Sequence, residues 1–319
     1  MTFERLRHLL AIEPLPAEQI SILLDQAKPF QQIQRHPLKK LATLRGKSVV
    51  LAFFEPSTRT RISFGAAASR LGADTMAFQA ESSSLKKGES LADTAWTLEA
   101  MKPDCIVMRH AASGAAEFVS QRVAIPVVNA GDGLHEHPTQ ALLDALTIRD
   151  RRGSLENLEI AILGDIVHSR VARSNIHLLS KFGARIALCG PAMWMPRELE
   201  SLAPGVRRCF SIEEALRGAE VVMALRVQQE RLDEPALPRE DYIRLYQLTP
   251  ARLALARPGA MVLHPGPMNR GLEIDPAVAD GPQSCVLEQV TNGVAVRMAL
   301  LYLLIGGPGG LEDLPHAPD

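Results

Sequence analysis

Short apolar runs alternate with stretches whose apolar positions recur every three or four residues along most of the chain. The short runs predict buried strands at Ser48–Phe54, Asp104–Arg109 and Pro126–Asn129. In the second half they predict strands at Glu159–Leu163, Arg185–Cys189, Glu220–Ala224 and Ala260–His264. The helical pattern covers Pro16–Lys28, Thr60–Leu71, Leu91–Met101, Pro138–Arg151, Ser169–Phe182 and Leu287–Leu304. Such alternation is the mark of α/β units on parallel sheets. Two doubly wound α/β domains are therefore expected, with a boundary near Arg151-Arg152-Gly153-Ser154. The first domain spans 1–150 and the second 151–286. A long apolar helix, about 287–305, follows, and a tail runs from 306 to 319.

The junctions where a strand hands over to a helix carry the chemistry. Ser57-Thr58-Arg59-Thr60-Arg61 follows the first strand and opens a helix. Free backbone N–H groups and the positive end of the helix dipole converge there, so an anion is favoured. Two hydroxyls can donate to phosphate oxygens, and an arginine can fork onto two of them. The alternative is an ordinary N-capped helix with a solvated first turn. Two cations where the dipole prefers acids speak for a bound anion. Arg109 and His110 end a second strand, where ligands collect in parallel sheets. His137-Pro138-Thr139-Gln140 starts another helix, with Pro138 suited to its first turn. Gly164 to Ser174 sits where a dinucleotide-binding loop would, but lacks the glycine spacing, which disfavours a nucleotide cofactor.

Ser-Thr-Arg-Thr-Arg after a strand, with His137-Pro138-Thr139-Gln140 and His264-Pro265-Gly266-Pro267 in the same order, resembles the transcarbamoylase family from about Leu41 to Leu304. Within it the chain is most similar to the aspartate-specific branch. The resemblance implies an active site in the cleft between the domains and a last helix, about 287–305, that returns to pack on the first domain. It implies transfer of a carbamoyl group from carbamoyl phosphate to L-aspartate, giving N-carbamoyl-L-aspartate and phosphate, with no cofactor and no metal. Carbamoyl phosphate would be held by Ser57, Thr58, Arg59, Thr60, Ser83, Arg109, His137, Gln140, Gly266 and Pro267. Arg59, Thr60, Lys87, Arg109 and His137 would be catalytic, and Lys87, Arg170, Arg226 and Gln228 would take aspartate. Ser83 and Lys87 belong to a polar loop that the family lends to a neighbouring subunit. In the run of three serines Ser84 is the alternative to Ser83. The implied assembly is a homotrimer with shared active sites, in a larger complex where regulatory or dihydroorotase-like chains are present. Many allosteric catalytic chains of the family have leucine where this chain has Gly266.

An ornithine-specific relative is the nearest rival. It would place cysteine in the segments that here hold Thr139 and Gly266, and would need an acid for the substrate ammonium. Arg170 and Arg226 instead suit anions. A catalytically dead subunit is the rival from another class, and intact Arg59, Thr60, Lys87, Arg109 and His137 speak against it.

Composition narrows the setting. The 319 residues carry a net charge of −1, so neither nucleic acid nor an anionic membrane is an expected partner. Cys105, Cys189, Cys209 and Cys285 are too widely spaced for a zinc ribbon or redox dithiol. The first residues lack the apolar run of a signal peptide, and a reducing cytoplasm is the expected compartment.

Overall fold

The computed structural model describes residues 6–37, 39–79, 89–227 and 237–306. It divides into two compact units. One contains Met1–Leu142 and Thr291–Asp319, the other Leu143–Val290.

In unit 1, α1 (Ala17–Arg35) precedes β1 (Ser48–Phe53), α2 (Thr58–Arg70) and β2 (Asp74–Gln79). Then come α3 (Leu91–Ala100), β3 (Cys105–His110), α4 (Ala115–Ser120), β4 (Val127–Asp132) and the start of α5 (Pro138–Arg152). The four strands form one parallel sheet in the order β2-β1-β3-β4. β1, β3 and β4 are buried almost throughout, as a parallel sheet covered on both faces requires. Val50, Ala52, Ile106 and Met108 pack with Ala95, Leu98, Ala116 and Val119 from α3 and α4. The N-terminal segment lies along β4: Leu9 donates to the Val127 carbonyl at 3.0 Å, and its own carbonyl accepts from Asn129 at 2.8 Å.

α1 outruns the expected end at Lys28, passing through Pro29 to Arg35. The side chain of Phe30 is fully buried and meets Tyr302 edge-on at 6.1 Å, on the same stripe as Ile20, Leu24 and Ala27. Burying this face outweighs the hydrogen bond that proline forfeits.

Unit 2 contains the rest of α5, then β5 (Glu159–Leu163), α6 (Arg170–Ser180), β6 (Arg185–Cys189), β7 (Val206–Arg208) and α7 (Ile212–Leu216). After these come β8 (Val221–Ala224), α8 (Arg239–Tyr246), α9 (Pro250–Leu253), β9 (Met261–Leu263), α10 (Pro276–Ala279) and the start of α11 (Val286–Ile305). Its parallel sheet runs β7-β6-β5-β8-β9. β5 and β6 have the bounds read from the sequence. β2, β7 and the helices α4, α7, α8, α9 and α10 are not anticipated by the sequence pattern.

From Thr291 onward, α11 is part of unit 1. Asn292 accepts from Gln31 of α1 at 2.7 Å, and Tyr302 packs on Phe30. No described helix is long and apolar enough to cross a membrane.

Candidate active site

Each sheet reverses its strand order once, between β1 and β3 in unit 1 and between β5 and β8 in unit 2. Loops leaving the carboxyl ends of the two central strands diverge there and leave a crevice for ligands. Of the described residues singled out by sequence, Ser57 to Thr60 follow β1 and Arg109 lies at the end of β3, and Arg170 and Arg226 follow β5 and β8.

In unit 1, Phe53 pairs with Arg109 across β1 and β3, and Phe54 N–H donates to the Arg109 carbonyl at 2.8 Å. This register brings Arg109 beside the loop that runs into α2. Ser57 occupies the cap position of α2 but makes no side-chain capping hydrogen bond. Ser90 and Ser169, by contrast, accept from Asp93 and Ala172 N–H and are true caps of α3 and α6. The hydroxyl of Ser57 is therefore not spent on the helix. The first turn of α2 has no acid, and Thr58 and Arg59 in it are exposed while Thr60 is buried. A helix start with no acid and a cation in its first turn favours an anion over a further cation.

Glu55, which sequence reading passed over, binds Arg109. Its Oε1 lies 2.7 Å from Arg109 Nη2, with both side chains 14% exposed. Arg109 Nη1 reaches toward the Ala130 carbonyl at 3.5 Å. The guanidinium is thus held in one orientation at the end of β3. The sequence offered one signal for Glu55: it is an acid set directly before a cationic motif.

His137 and Gln140 are buried at the start of α5. The His137 carbonyl accepts from Gln140 N–H at 3.0 Å and so begins the helix. Behind it lies a polar cluster centred on the buried Asp132. Asp132 accepts from Asn129 Nδ2 at 2.7 Å, Gly114 N–H at 2.7 Å and Glu136 N–H at 3.2 Å. Burial would raise the Asp132 carboxyl. Hydrogen bonds from His135, Asn129 and Gly114 outweigh it and hold the carboxyl below its ordinary range. Glu136 turns away from the helix start, and its two oxygens accept Ile12 and Glu13 N–H at 2.9 and 3.0 Å. The loop carrying His137 is thereby pinned to both β4 and the N-terminal segment. His135, unassigned from sequence, belongs to this cluster, with Nδ1 at 3.1 Å from Asp132.

A second residue missed from sequence is Arg297 of α11, 4% exposed. It donates to Ser63 Oγ at 2.8 Å and to Thr139 Oγ1 at 3.3 Å, joining α2 to the first turn of α5. Nothing local in the sequence marks it, because its partners lie 234 and 158 residues away.

In unit 2, Gly190 at the end of β6 presses on the loop after β5. A Cβ there would meet the Gly164 carbonyl oxygen at 2.0 Å, so only glycine fits. The loop then turns on Asp165, whose Oδ1 binds His168 Nδ1 at 2.8 Å, and Ser169 caps α6. This delivers Arg170, 5% exposed, as the first residue of that helix. Arg226 leaves β8 and is half-buried. Gly266 and Pro267 follow β9 with a cis bond between them and Gly266 at φ 60°, a backbone that side-chain-bearing residues rarely adopt. This conformation accounts physically for glycine at that position. Ser83, Ser84, Lys87 and Gln228 lie outside the described residues.

All four cysteines are free and buried. Burial pushes the Cys189 thiol up to about 12, which makes it a poor nucleophile at neutral pH.

Two family profiles match the chain. One, described as the carbamoyl-P binding domain of aspartate/ornithine carbamoyltransferase, covers residues 7–150, and the other, its Asp/Orn binding domain, covers 156–304. The aspartate carbamoyltransferase catalytic subunit of Solibacter usitatus is 58% identical over 298 residues, 93% of this chain and 99% of that one. The one from Moorella thermoacetica is 56% identical over 302 residues, 94% and 98% of the two chains. Among solved structures, aspartate transcarbamoylase from Trypanosoma cruzi with carbamoyl phosphate has a TM-score of 0.86 and 33% identity, covering 94% and 96%. Ornithine carbamoyltransferase from Pyrococcus furiosus follows with a TM-score of 0.83 and 28% identity, covering 95% and 98%.

Proposed function

The chain belongs to the aspartate/ornithine carbamoyltransferase family, and we infer that it transfers the carbamoyl group of carbamoyl phosphate to L-aspartate, an early step in pyrimidine synthesis. The observation that carries this reading is the α2 N-terminus. Its cap serine is not spent on capping, its first turn holds Arg59 without an acid, and Arg109 stands in register beside it.

We assign the phosphate to Ser57, Thr58, Arg59 and Thr60, with Ser83 and Lys87. Thr60, Arg109 and His137 hold the carbonyl oxygen as it gains charge. Gln140 and the carbonyls of Gly266 and Pro267 accept from the carbamoyl NH₂. Arg170, Arg226 and Gln228, with Lys87, align the two carboxylates of aspartate, and paired cations suit a dicarboxylate far better than an ammonium. The amine nitrogen attacks the carbonyl carbon and a C–N bond forms. The C–O bond to phosphate then breaks, and the departing phosphate takes the amine proton. No side-chain nucleophile is required. The acceleration comes from orientation and from charge placed ahead of the reaction.

The working assembly in this reading is a cytoplasmic homotrimer in which Ser83 and Lys87 complete a neighbour's site. The test is direct. With carbamoyl phosphate, the purified chain should release phosphate and a ureido product in equal amounts when given aspartate. Product from ornithine at a comparable rate, or none from aspartate, overturns the reading.

A further inference from the structure

Unit 2 holds a chain of buried polar groups that the reaction assigned above does not use. Glu273, 2% exposed, follows β9 in the loop before α10. Its Oε1 accepts Asn269 N–H at 2.6 Å and lies 3.1 Å from Nε2 of His264, whose side chain is fully buried. The N–H of Gly266 donates to His264 Nδ1 at 2.7 Å. That nitrogen is therefore bare, and the ring proton sits on Nε2, pointing at Glu273.

The chain continues in both directions. His264 N–H donates to Gln289 Oε1 at 3.0 Å, and Gln289 Nε2 donates to Asp144 Oδ1 at 2.6 Å. Asp144 Oδ2 accepts from Asn175 Nδ2 at 2.9 Å, and Asn175 stands on α6, the helix that Arg170 opens. On the other side, Asn269 Nδ2 donates to the Val227 carbonyl at 3.0 Å, one residue beyond Arg226. Three separate segments thus share one relay: the Arg170 helix, the Arg226 segment and the Gly266–Pro267 turn.

A buried carboxylate is a poor device for stability alone. Its desolvation is costly, and an apolar residue of like volume is often as stable or more so. Glu273 Oε2 has no hydrogen-bond partner among the described residues, so half of the group returns nothing. What the carboxylate supplies is direction, through one oxygen that fixes two donors from two parts of the turn.

We propose that Glu273 is a positioning residue for the amino-acid substrate. Through His264 and Asn269 it sets the Gly266–Pro267 turn and the Arg226–Val227 segment in one register, so that Arg226 meets a substrate carboxylate from a fixed direction. The proposal rests on the assignment of aspartate to Arg170 and Arg226.

The test uses the intact chain with Glu273→Ala, Glu273→Gln and Asn269→Ala. Steady-state kinetics with aspartate are measured beside equilibrium binding of inorganic phosphate, a probe of unit 1. Glu273→Ala should lower kcat/KM for aspartate about a hundredfold, as misplacement by roughly an ångström does. Its phosphate affinity should stay within about twofold of wild type, which general damage to the fold would not allow. Glu273→Gln keeps an oxygen at Oε1 and puts its NH₂ at Oε2, and should stay within about fivefold of wild type. Asn269→Ala removes the bond to Val227 and should raise KM for aspartate about tenfold with little change in kcat.

Near-wild-type kinetics for Glu273→Ala overturn the proposal. So does Glu273→Gln as impaired as Glu273→Ala, or phosphate binding lost in parallel. Should Glu273→Ala fail to fold, an unchanged KM for Asn269→Ala is enough to reject it. A wild-type chain inactive on aspartate overturns the assigned reaction itself, whereas an active wild type with unaffected variants rejects the proposal alone.

Discussion

Replacing Arg297 by methionine tests whether α11 holds the two helix starts of unit 1 together. The guanidinium donates to Ser63 Oγ at 2.8 Å, a charge-assisted bond worth about 1.5–3 kcal/mol. Its bond to Thr139 Oγ1 is 3.3 Å, beyond the usual N–H···O range, and adds less. The cation also stands 5.0 Å over the Phe64 ring, worth about 1–2 kcal/mol in a desolvated setting. Methionine refills part of the volume and removes the cost of burying a charge, which offsets roughly a third of that sum. The net loss should be about 2–3 kcal/mol. For a unit of this size that corresponds to a fall in melting temperature of roughly 4–12 °C. Calorimetry supplies the stability. Phosphate binding supplies the functional half, since Ser63 shares a helix with Arg59 and Thr139 adjoins His137. Affinity for phosphate should drop about tenfold, because two anchors of one site lose their common brace. A variant that melts with wild type, or melts early while binding phosphate normally, refutes the reasoning.

Two further outcomes concern other residues. Lys87→Ala and Arg59→Ala chains should each be nearly inactive, yet recover roughly a quarter of native sites after dissociation and random remixing, as a closed ring of three predicts. Verified exchange without recovery rejects shared sites. Asp132 has its carboxyl held low in the folded state, so its contribution is present above about pH 4 and lost as pH falls through the folded value. Asp132→Asn should therefore be less stable than wild type at pH 7 and converge with it in acid. Parallel stability curves down to pH 2 would show that Asp132 contributes nothing there.

The sequence disclosed what is local. β5 and β6 are each four apolar residues after a charged one, and the sequence pattern predicts their bounds as found. β7 was invisible because Val206-Arg207-Arg208 is a short, polar edge strand, made a strand only by pairing with β6. β2 escaped because Asp74-Thr75-Met76-Ala77-Phe78-Gln79 has only three consecutive apolar residues between polar ends and is recruited by β1. The same division runs through the site. Ser57 to Thr60, Arg109 and His137 sit at strand–helix junctions, where sequence pattern and electrostatics point to the same place. Glu55 binds Arg109, Arg297 joins Ser63 to Thr139, and Glu273 holds His264 and Asn269 in unit 2; these partners are set by the fold. Even Ser57, legible as a cap, does not use its hydroxyl as one in the fold.

The division of the chain also dictates an order of assembly. Unit 2 is one uninterrupted stretch, Leu143–Val290, whereas unit 1 is written in two pieces on either side of it. On a ribosome the inserted stretch can close its sheet as soon as β9 and α10 emerge. The piece made first cannot finish, because Phe30 waits for Tyr302, and Ser63 and Thr139 wait for Arg297. Vectorial synthesis is thus inverted: the later unit can close first, and the start of α2, though translated early, takes its final form only when the last helix arrives.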